Sequence, residues 1–87
     1  MQQEIINQVT QVLAETLKLN TTEDITINTR LKEDLGLDSM SSLTFLMALE
    51  DAIYGFIVDP ETLSANDLTT IETISSYVFK ATNPLRE

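Results

Sequence analysis

Neither cysteine nor histidine occurs among the 87 residues of the chain. The fold therefore has no disulfide and no Cys- or His-ligated zinc to stabilise it, and a chain of this length must depend on one apolar core. The same two absences exclude a thiolate nucleophile, a Ser-His triad and an imidazole base near neutral pH. Carboxylates, hydroxyls and lysines remain, and no grouping of them predicts a catalytic site or a metal site.

Apolar residues near the start of the chain have helical spacing. They form one broad face and predict a helix over about residues 3–18: Ile5, Ile6, Val9, Val12, Leu13 and Leu17. Residues 19–37 contain turn-prone Asn and Thr and apolar residues without a helical period, which predicts a long loop pinned to the core. The segment 25–27 has the composition of a strand, but no second segment offers a convincing partner.

A second helix is predicted over about residues 39–54, with Asp38 or Ser39 as its N-cap and Gly55 as its stop signal. At about 100° per residue its apolar side chains fall on two stripes. The first stripe is predicted to face the core and contains Ser42, Phe45, Leu46, Leu49 and Ile53. The second contains Met40, Leu43, Met47 and Tyr54, with Glu50 and Asp51 beside it. The second stripe is either an adaptable partner-binding face or an extension of the core that also covers the loop.

Two further helix starts follow. Asp59 before Pro60 is an N-cap followed by proline, which predicts a short helix or turn within residues 60–68. Thr69 and Glu72 fit a capping box and predict a last helix over about residues 70–82. The sequence thus predicts one all-α domain over residues 1–87. It is a small four-helix bundle of three principal helices and one short helix, with a long loop between the first and second helices.

The chain is strongly acidic, with 14 acids, five bases and a net charge of -9. Such a charge repels phosphate backbones and anionic lipids, which argues against nucleic-acid and membrane partners and favours basic protein partners. Nine of the acids lie between Glu33 and Phe79, where no base occurs, and this run predicts an acidic docking surface around the second stripe. We find neither a signal-peptide pattern nor an apolar run of about 20 residues, so a cytoplasmic protein is predicted.

Ser39 has two interpretations. A serine that follows an aspartate at a helix start is ordinarily a cap. Ser39 also lies at the end of the predicted loop and at the front of the predicted exposed helix, where the active site of another protein can reach it. The free N–H groups and positive dipole of a helix N-terminus would tolerate a phosphate on that hydroxyl. Without a base it is no nucleophile of its own, so the second interpretation is a substrate for modification.

An ordered set of segments resembles the acyl carrier proteins. The set consists of Leu31–Met40 (LKEDLGLDSM), which resembles their attachment segment, Met47–Asp51 of their second helix, and Ile57–Pro60 and Thr70–Ile74 at the starts of their third and fourth helices. An isolated Asp-Ser-Met is common, whereas this order and spacing cover nearly the whole chain. The wider family contains carriers of fatty-acid, polyketide and nonribosomal peptide synthesis.

The resemblance implies that Ser39 is esterified by 4′-phosphopantetheine, donated from coenzyme A by a phosphopantetheinyl transferase that recognises Asp38. The arm would supply the thiol that the chain lacks and hold an acyl or aminoacyl group as a thioester. The implied partners are that transferase, an acyl- or aminoacyl-activating ligase, and downstream synthase or transferase enzymes. The protein itself would be a non-catalytic monomer, with partner-binding residues Met40, Leu43, Met47, Glu50 and Asp51 on the helix after Ser39.

Three positions depart from the usual fatty-acid carrier. Such carriers tend to have acids two and five positions after the serine, where this chain has Ser41 and Thr44, and leucine commonly stands in place of Met40. These differences favour a specialised carrier with dedicated partners over one that serves general fatty-acid synthesis. The Met1 start and the absence of a long flanking linker favour a stand-alone protein. The alternative function is an unmodified acidic helical adaptor that has the fold but not the arm.

Overall fold

The computed structural model describes residues 2–82 of the chain. Its helices are α1 (Gln2–Leu17), α2 (Leu31–Leu35), α3 (Ser39–Ala52) and α4 (Ile71–Thr82), and a 3₁₀ helix covers Ala65–Leu68. Helix α1 packs against both α3 and α4, and the 3₁₀ helix packs against α4. Residues 2–82 contain no strand, only one antiparallel bridge between Arg30 and Thr70. The all-α prediction with three principal helices is confirmed.

One apolar core joins the three principal helices. Its fully buried large side chains are Val9, Leu13, Leu31, Phe45, Leu49, Phe56, Ile71, Ile74 and Val78. The predicted core stripe of α3 is confirmed for its apolar members, because Phe45, Leu46, Leu49 and Ile53 are all buried. Burial of a side chain of this size stabilises the fold by about 1.5–3 kcal/mol, so this stripe fixes the orientation of α3 about its own axis.

The prediction of a helix-free loop over residues 19–37 is wrong at its end, where α2 forms. Five residues are too few to show a helical period, and α2 is defined instead by its C-terminus. Gly36 has a φ of 75°, and its N–H donates to the carbonyl of Lys32 at 3.0 Å. The N–H of Leu37 donates to the carbonyl of Leu31, also at 3.0 Å. This left-handed ending turns the buried Leu37 back towards the core and directs the chain into α3.

The rest of the loop is pinned by hydrogen bonds to the start of α4, not by strand pairing of residues 25–27. The N–H of Ile71 donates to the carbonyl of Thr29 at 3.2 Å, and the N–H of Glu72 donates to that of Ile27 at 3.0 Å. In return Leu31 N donates to the carbonyl of Thr69 at 2.9 Å. The loop therefore accepts two of the N–H groups that the first turn of α4 leaves without helical partners.

The third element lies within residues 60–68, as the sequence predicts, and consists of a turn followed by the 3₁₀ helix. Asp59 Oδ1 accepts the N–H of Glu61 at 3.0 Å, and the Asp59 carbonyl accepts those of Thr62 and Leu63, both at 3.0 Å. These bonds close a turn at Pro60 that does not continue as a helix. The regular structure is the 3₁₀ helix, before which Ser64 N donates to Asp67 Oδ2 at 2.9 Å.

The capping box of α4 is displaced by one residue. Thr70 N donates to Thr73 Oγ1 at 2.9 Å, and Thr73 N donates to Thr70 Oγ1 at 3.2 Å, so the reciprocal pair is Thr70 and Thr73 and not Thr69 and Glu72. The helix accordingly begins at Ile71, one residue later than predicted. Between residues 2 and 82, no helix combines the length and apolar character that crossing a membrane requires.

Candidate attachment and docking site

Ser39 is the first residue of α3, and its side chain is exposed. The left-handed turn at Gly36 and the buried Leu37 fix the chain just before it, so the position of Ser39 is set by packing. Within residues 2–82 the Ser39 hydroxyl makes no hydrogen bond. An exposed, unbonded hydroxyl on a fixed backbone can accept a bulky substituent without loss of any contact in the fold.

Asp38 is the N-cap of α3, a role for which the sequence offered either Asp38 or Ser39. Its Oδ1 atom accepts the backbone N–H of Ser41 at 2.8 Å, and its backbone is extended, as is typical of an N-cap. That N–H is the main reason why the pKa of the Asp38 carboxyl lies below its ordinary value. Asp38 therefore stays ionised near neutral pH, which places a fixed negative charge directly before Ser39.

A groove of about 200 Å³ opens beside Ser39. Its lining comes from α2, the link between α2 and α3, the start of α3 and the 3₁₀ helix: Lys32, Leu37, Asp38, Ser39, Ser42, Ala65 and Leu68. The 3₁₀ helix, which is distant in sequence, thus meets α2 and the start of α3 at the candidate attachment residue. A cavity of about 410 Å³ between α1 and the long loop contains none of the predicted site residues.

Helix α3 carries apolar side chains on both faces, as the two-stripe pattern predicts. We use the term outer face for Met40, Leu43 and Met47, whose exposed fractions are 79%, 61% and 58%. These values exclude the alternative in which the second stripe widens the core. Tyr54 and Ile57, which follow α3 in the chain, are also exposed. An apolar face of this kind on a very acidic protein is typical of a surface that contacts partners.

The two acids beside the outer face differ in their contacts. Glu50 Oε2 accepts the backbone N–H of Val58 at 2.7 Å and so ties α3 to the segment that follows it. The Asp51 side chain makes no hydrogen bond or ion pair within residues 2–82 and is exposed. Glu50 therefore also stabilises the fold, a role that the sequence did not predict. Asp51 is a surface charge that is available to partners.

The sequence did not predict the positions of some residues in this region. Lys32, Ala65 and Leu68 line the groove but were not predicted as site residues. Ala65 and Leu68 reach Ser39 only through tertiary packing of the 3₁₀ helix. Ile57 is exposed while its neighbour Phe56 is buried, and the run of apolar residues after Gly55 gives no period that separates the two. No group of carboxylates within the described residues has the geometry of a metal site.

Comparison with known proteins identifies the family. The profile of the family described as "phosphopantetheine attachment site" matches residues 7–78. The acyl carrier protein of Aster yellows witches'-broom phytoplasma is 33% identical over 79 residues, which are 91% of this chain and 99% of that protein. The acyl carrier protein of Phytoplasma australiense is 32% identical over 76 residues, 87% of this chain and 95% of that protein. That of Streptomyces coelicolor is 28% identical over 80 residues, 92% of this chain and 84% of that protein.

The chain belongs to the phosphopantetheine-attachment family of acyl carrier proteins. Acyl carrier proteins are non-catalytic carriers, and the family's cofactor is a covalently attached phosphopantetheine. The residues at the start of α3 fit that group, because the exposed Ser39 hydroxyl makes no hydrogen bond within the described chain and lies beside an open groove. When bound, the arm supplies the thiol that a chain without cysteine cannot provide.

Proposed function

We propose that this protein carries acyl or aminoacyl groups as thioesters on a phosphopantetheine arm attached to Ser39. The observation that carries the proposal is the Ser39 side chain, which is exposed and unbonded within residues 2–82 and lies beside the groove at the start of α3. A carrier needs this exposure twice, because the modifying enzyme must reach the hydroxyl and later enzymes must reach the thiol. The whole chain would act as one carrier domain.

In the attachment step Ser39 Oγ attacks the phosphorus atom of coenzyme A that bears the pantetheine group. A new P–O bond forms to Ser39, the P–O bond of the pyrophosphate breaks, and 3′,5′-ADP leaves. The hydroxyl proton passes to a base of the phosphopantetheinyl transferase, because the chain has no histidine. Asp38 is the residue we assign to recognition by that transferase, since its charge is fixed next to the hydroxyl by the Ser41 N–H.

The outer face of α3, with Glu50 and Asp51 beside it, is the surface that we assign to partner enzymes. Its methionines are flexible and adapt to more than one apolar surface, and the two carboxylates attract basic side chains. The front of the helix presents hydroxyls at Ser41 and Thr44, where acids would attract partners over a longer range. This difference supports dedicated partners. The partners that we propose are a loading ligase and downstream synthase or transferase enzymes, which act on a monomeric carrier in the cytoplasm.

Intact-mass measurement tests the proposal. The purified apo protein is incubated with coenzyme A and a broad-specificity phosphopantetheinyl transferase, beside a carrier known to be converted fully. We expect wild type and Ser41→Ala to gain the mass of one phosphopantetheine, and Ser39→Ala to gain nothing. Ser41 is the matched control because it lies in the same helical turn. An unchanged wild-type mass would favour the unmodified adaptor, and a mass gain in Ser39→Ala would place the arm elsewhere.

A further inference from the structure

We propose that Lys32 is a positioning residue that holds the phosphodiester of the arm against the groove; this inference rests on attachment at Ser39. Lys32 and Ser39 line the same cavity of about 200 Å³, together with Ala65 and Leu68 of the 3₁₀ helix. The first part of an arm on Ser39 therefore begins in a space to which, among the described residues, Lys32 contributes the one cationic side chain.

The charge around Ser39 favours such a partner. A phosphodiester adds one negative charge to a protein whose net charge is already -9, and it does so next to the ionised Asp38. From Glu33 to Phe79 the sequence has no lysine or arginine that could offset it. The bases nearest to Ser39 in the sequence are Lys32 and Arg30, and of these two Lys32 lines the groove.

Arg30 is already engaged. Its Nη1 atom lies 3.1 Å from Glu33 Oε1, its Nη2 atom lies 3.3 Å from Asp34 Oδ1, and its backbone N–H donates to Asp34 Oδ2 at 2.9 Å. These contacts occupy Glu33 and Asp34, the two acids that follow Lys32 in the sequence. Within residues 2–82 the Lys32 side chain forms no ion pair, and it is exposed. Lys32 is thus the cation left available on the wall of the groove.

The lysine side chain suits this role physically. A phosphodiester has no fixed orientation on a rotating serine side chain, and the ammonium group on its flexible four-carbon stem can follow it as a point charge. The pair is exposed to solvent, so its effect is modest and sensitive to salt. We expect it to change the equilibrium between the held and the free arm by about 1.4- to 5-fold.

The test uses ³¹P relaxation of the full-length holo protein, a readout that does not depend on any enzyme activity. Wild type, Lys32→Gln, Lys32→Arg and the matched control Lys80→Gln are each converted with coenzyme A and a broad-specificity transferase, and conversion is verified by intact mass. Lys80 lies in the last turn of α4 and outside the groove, so it controls for the loss of one positive charge. At low ionic strength we expect faster phosphodiester motion in Lys32→Gln than in the other three proteins. In about 1 M salt, where the Debye length is about 3 Å, the difference should disappear.

A second readout comes from wild type alone. The NMR signals of the Lys32 ε-methylene should shift between the apo and holo forms at low salt and return towards their apo positions at high salt. Equal ³¹P relaxation in wild type and Lys32→Gln, or an equal change in Lys80→Gln, would overturn the role of Lys32. Failure of wild type to gain the arm would instead overturn attachment at Ser39, an outcome that the mass spectrum distinguishes from the first.

Discussion

Asp38 Oδ1 accepts the backbone N–H of Ser41 at 2.8 Å, and this bond separates the structural role at the start of α3 from the chemical one. Asp38 caps the helix, and Ser39, the next residue, makes no hydrogen bond through its side chain within the described chain. A residue that stabilises nothing in the fold can be modified without cost to the fold. The two neighbours should therefore respond very differently to substitution.

Ser39→Ala should abolish loading and leave the stability of the protein nearly unchanged. Exposed positions without special contacts usually alter the free energy of unfolding by less than about 0.5 kcal/mol. Asp38→Ala should instead lower the denaturant midpoint, because the N–H of Ser41 loses its acceptor. Urea unfolding of the two variants beside wild type checks this. A large loss of stability in Ser39→Ala would show that Ser39 is a structural residue.

The same bond predicts how stability depends on pH. The pKa of Asp38 lies below its ordinary value of 3.8, chiefly because the carboxylate accepts the Ser41 N–H. Since the folded-state pKa is the lower one, the stabilisation is complete above the unfolded-state value and is lost as the pH falls through the folded-state value. Asparagine caps a helix without titrating. Between about pH 5 and pH 2 wild type should therefore lose stability relative to Asp38→Asn. The free energy of unfolding of both proteins is measured by urea titration at several pH values in that range. An equal pH dependence in the two proteins would contradict the lowered pKa of Asp38.

The long helices and the core stripe of α3 were predictable because each repeats an apolar pattern over several turns. Phe45 and Leu49 are buried and Met47 is exposed, as their angles around the helix require. The remaining elements depend on contacts that a local pattern does not contain. Helix α2 has five residues and is defined by its ending at Gly36, and the capping pair of α4 is Thr70 with Thr73 because the loop occupies neighbouring backbone groups.

The site was predictable in part for the same reason. Ser39, Asp38 and the outer face lie on one continuous stretch of chain, so the sequence contains their relationship directly. The groove beside Ser39 could not be predicted in this way, because Lys32 and Leu68 are brought together only by packing of α2 and the 3₁₀ helix around the core. The bond between Glu50 and Val58 likewise joins residues eight positions apart across the end of α3.

That bond gives Glu50 two functions, which substitutions can separate. Glu50→Gln keeps an oxygen that can accept the Val58 N–H but removes the charge, whereas Glu50→Ala removes both. We expect Glu50→Ala to lower the free energy of unfolding by about 0.5–1.5 kcal/mol and Glu50→Gln to lower it much less. Both variants should associate more slowly with a basic partner enzyme, with an effect that shrinks as salt rises.

Asp51→Asn is the control for charge alone, because the Asp51 side chain has no hydrogen bond or ion pair within residues 2–82. It should slow association and leave the unfolding curve in place. Stopped-flow association at several salt concentrations, combined with urea unfolding, measures both effects. If Glu50→Ala and Glu50→Gln were equally stable, the hydrogen bond to Val58 would contribute nothing to the fold.

Ser75 is a polar residue inside the core. Its Oγ atom is buried and has no hydrogen-bond partner within the described residues, although the side chain lies on α4 among Ile71, Ile74 and Val78. An unpaired buried hydroxyl costs about 1–3 kcal/mol, and alanine is the better helix former. Ser75→Ala should therefore raise the free energy of unfolding, by about 1 kcal/mol, in thermal or urea unfolding. A decrease would show that the hydroxyl is paired in solution.

Met47→Ala tests whether the outer face binds partners. Met47 is 58% exposed, so its truncation should change the free energy of unfolding by less than about 0.5 kcal/mol. If the side chain is an anchor for a partner enzyme, the same truncation should weaken binding by more than about 1 kcal/mol. Leu49→Ala, on the buried face of the same helix, is the opposite control and should lose about 2–5 kcal/mol of stability. The measurements are the urea midpoint and the steady-state kinetics of loading by the cognate ligase. The two substitutions test one residue on each face of α3. A Met47→Ala protein that loses stability but is loaded normally would show that Met47 supports the fold and does not bind the partner enzyme.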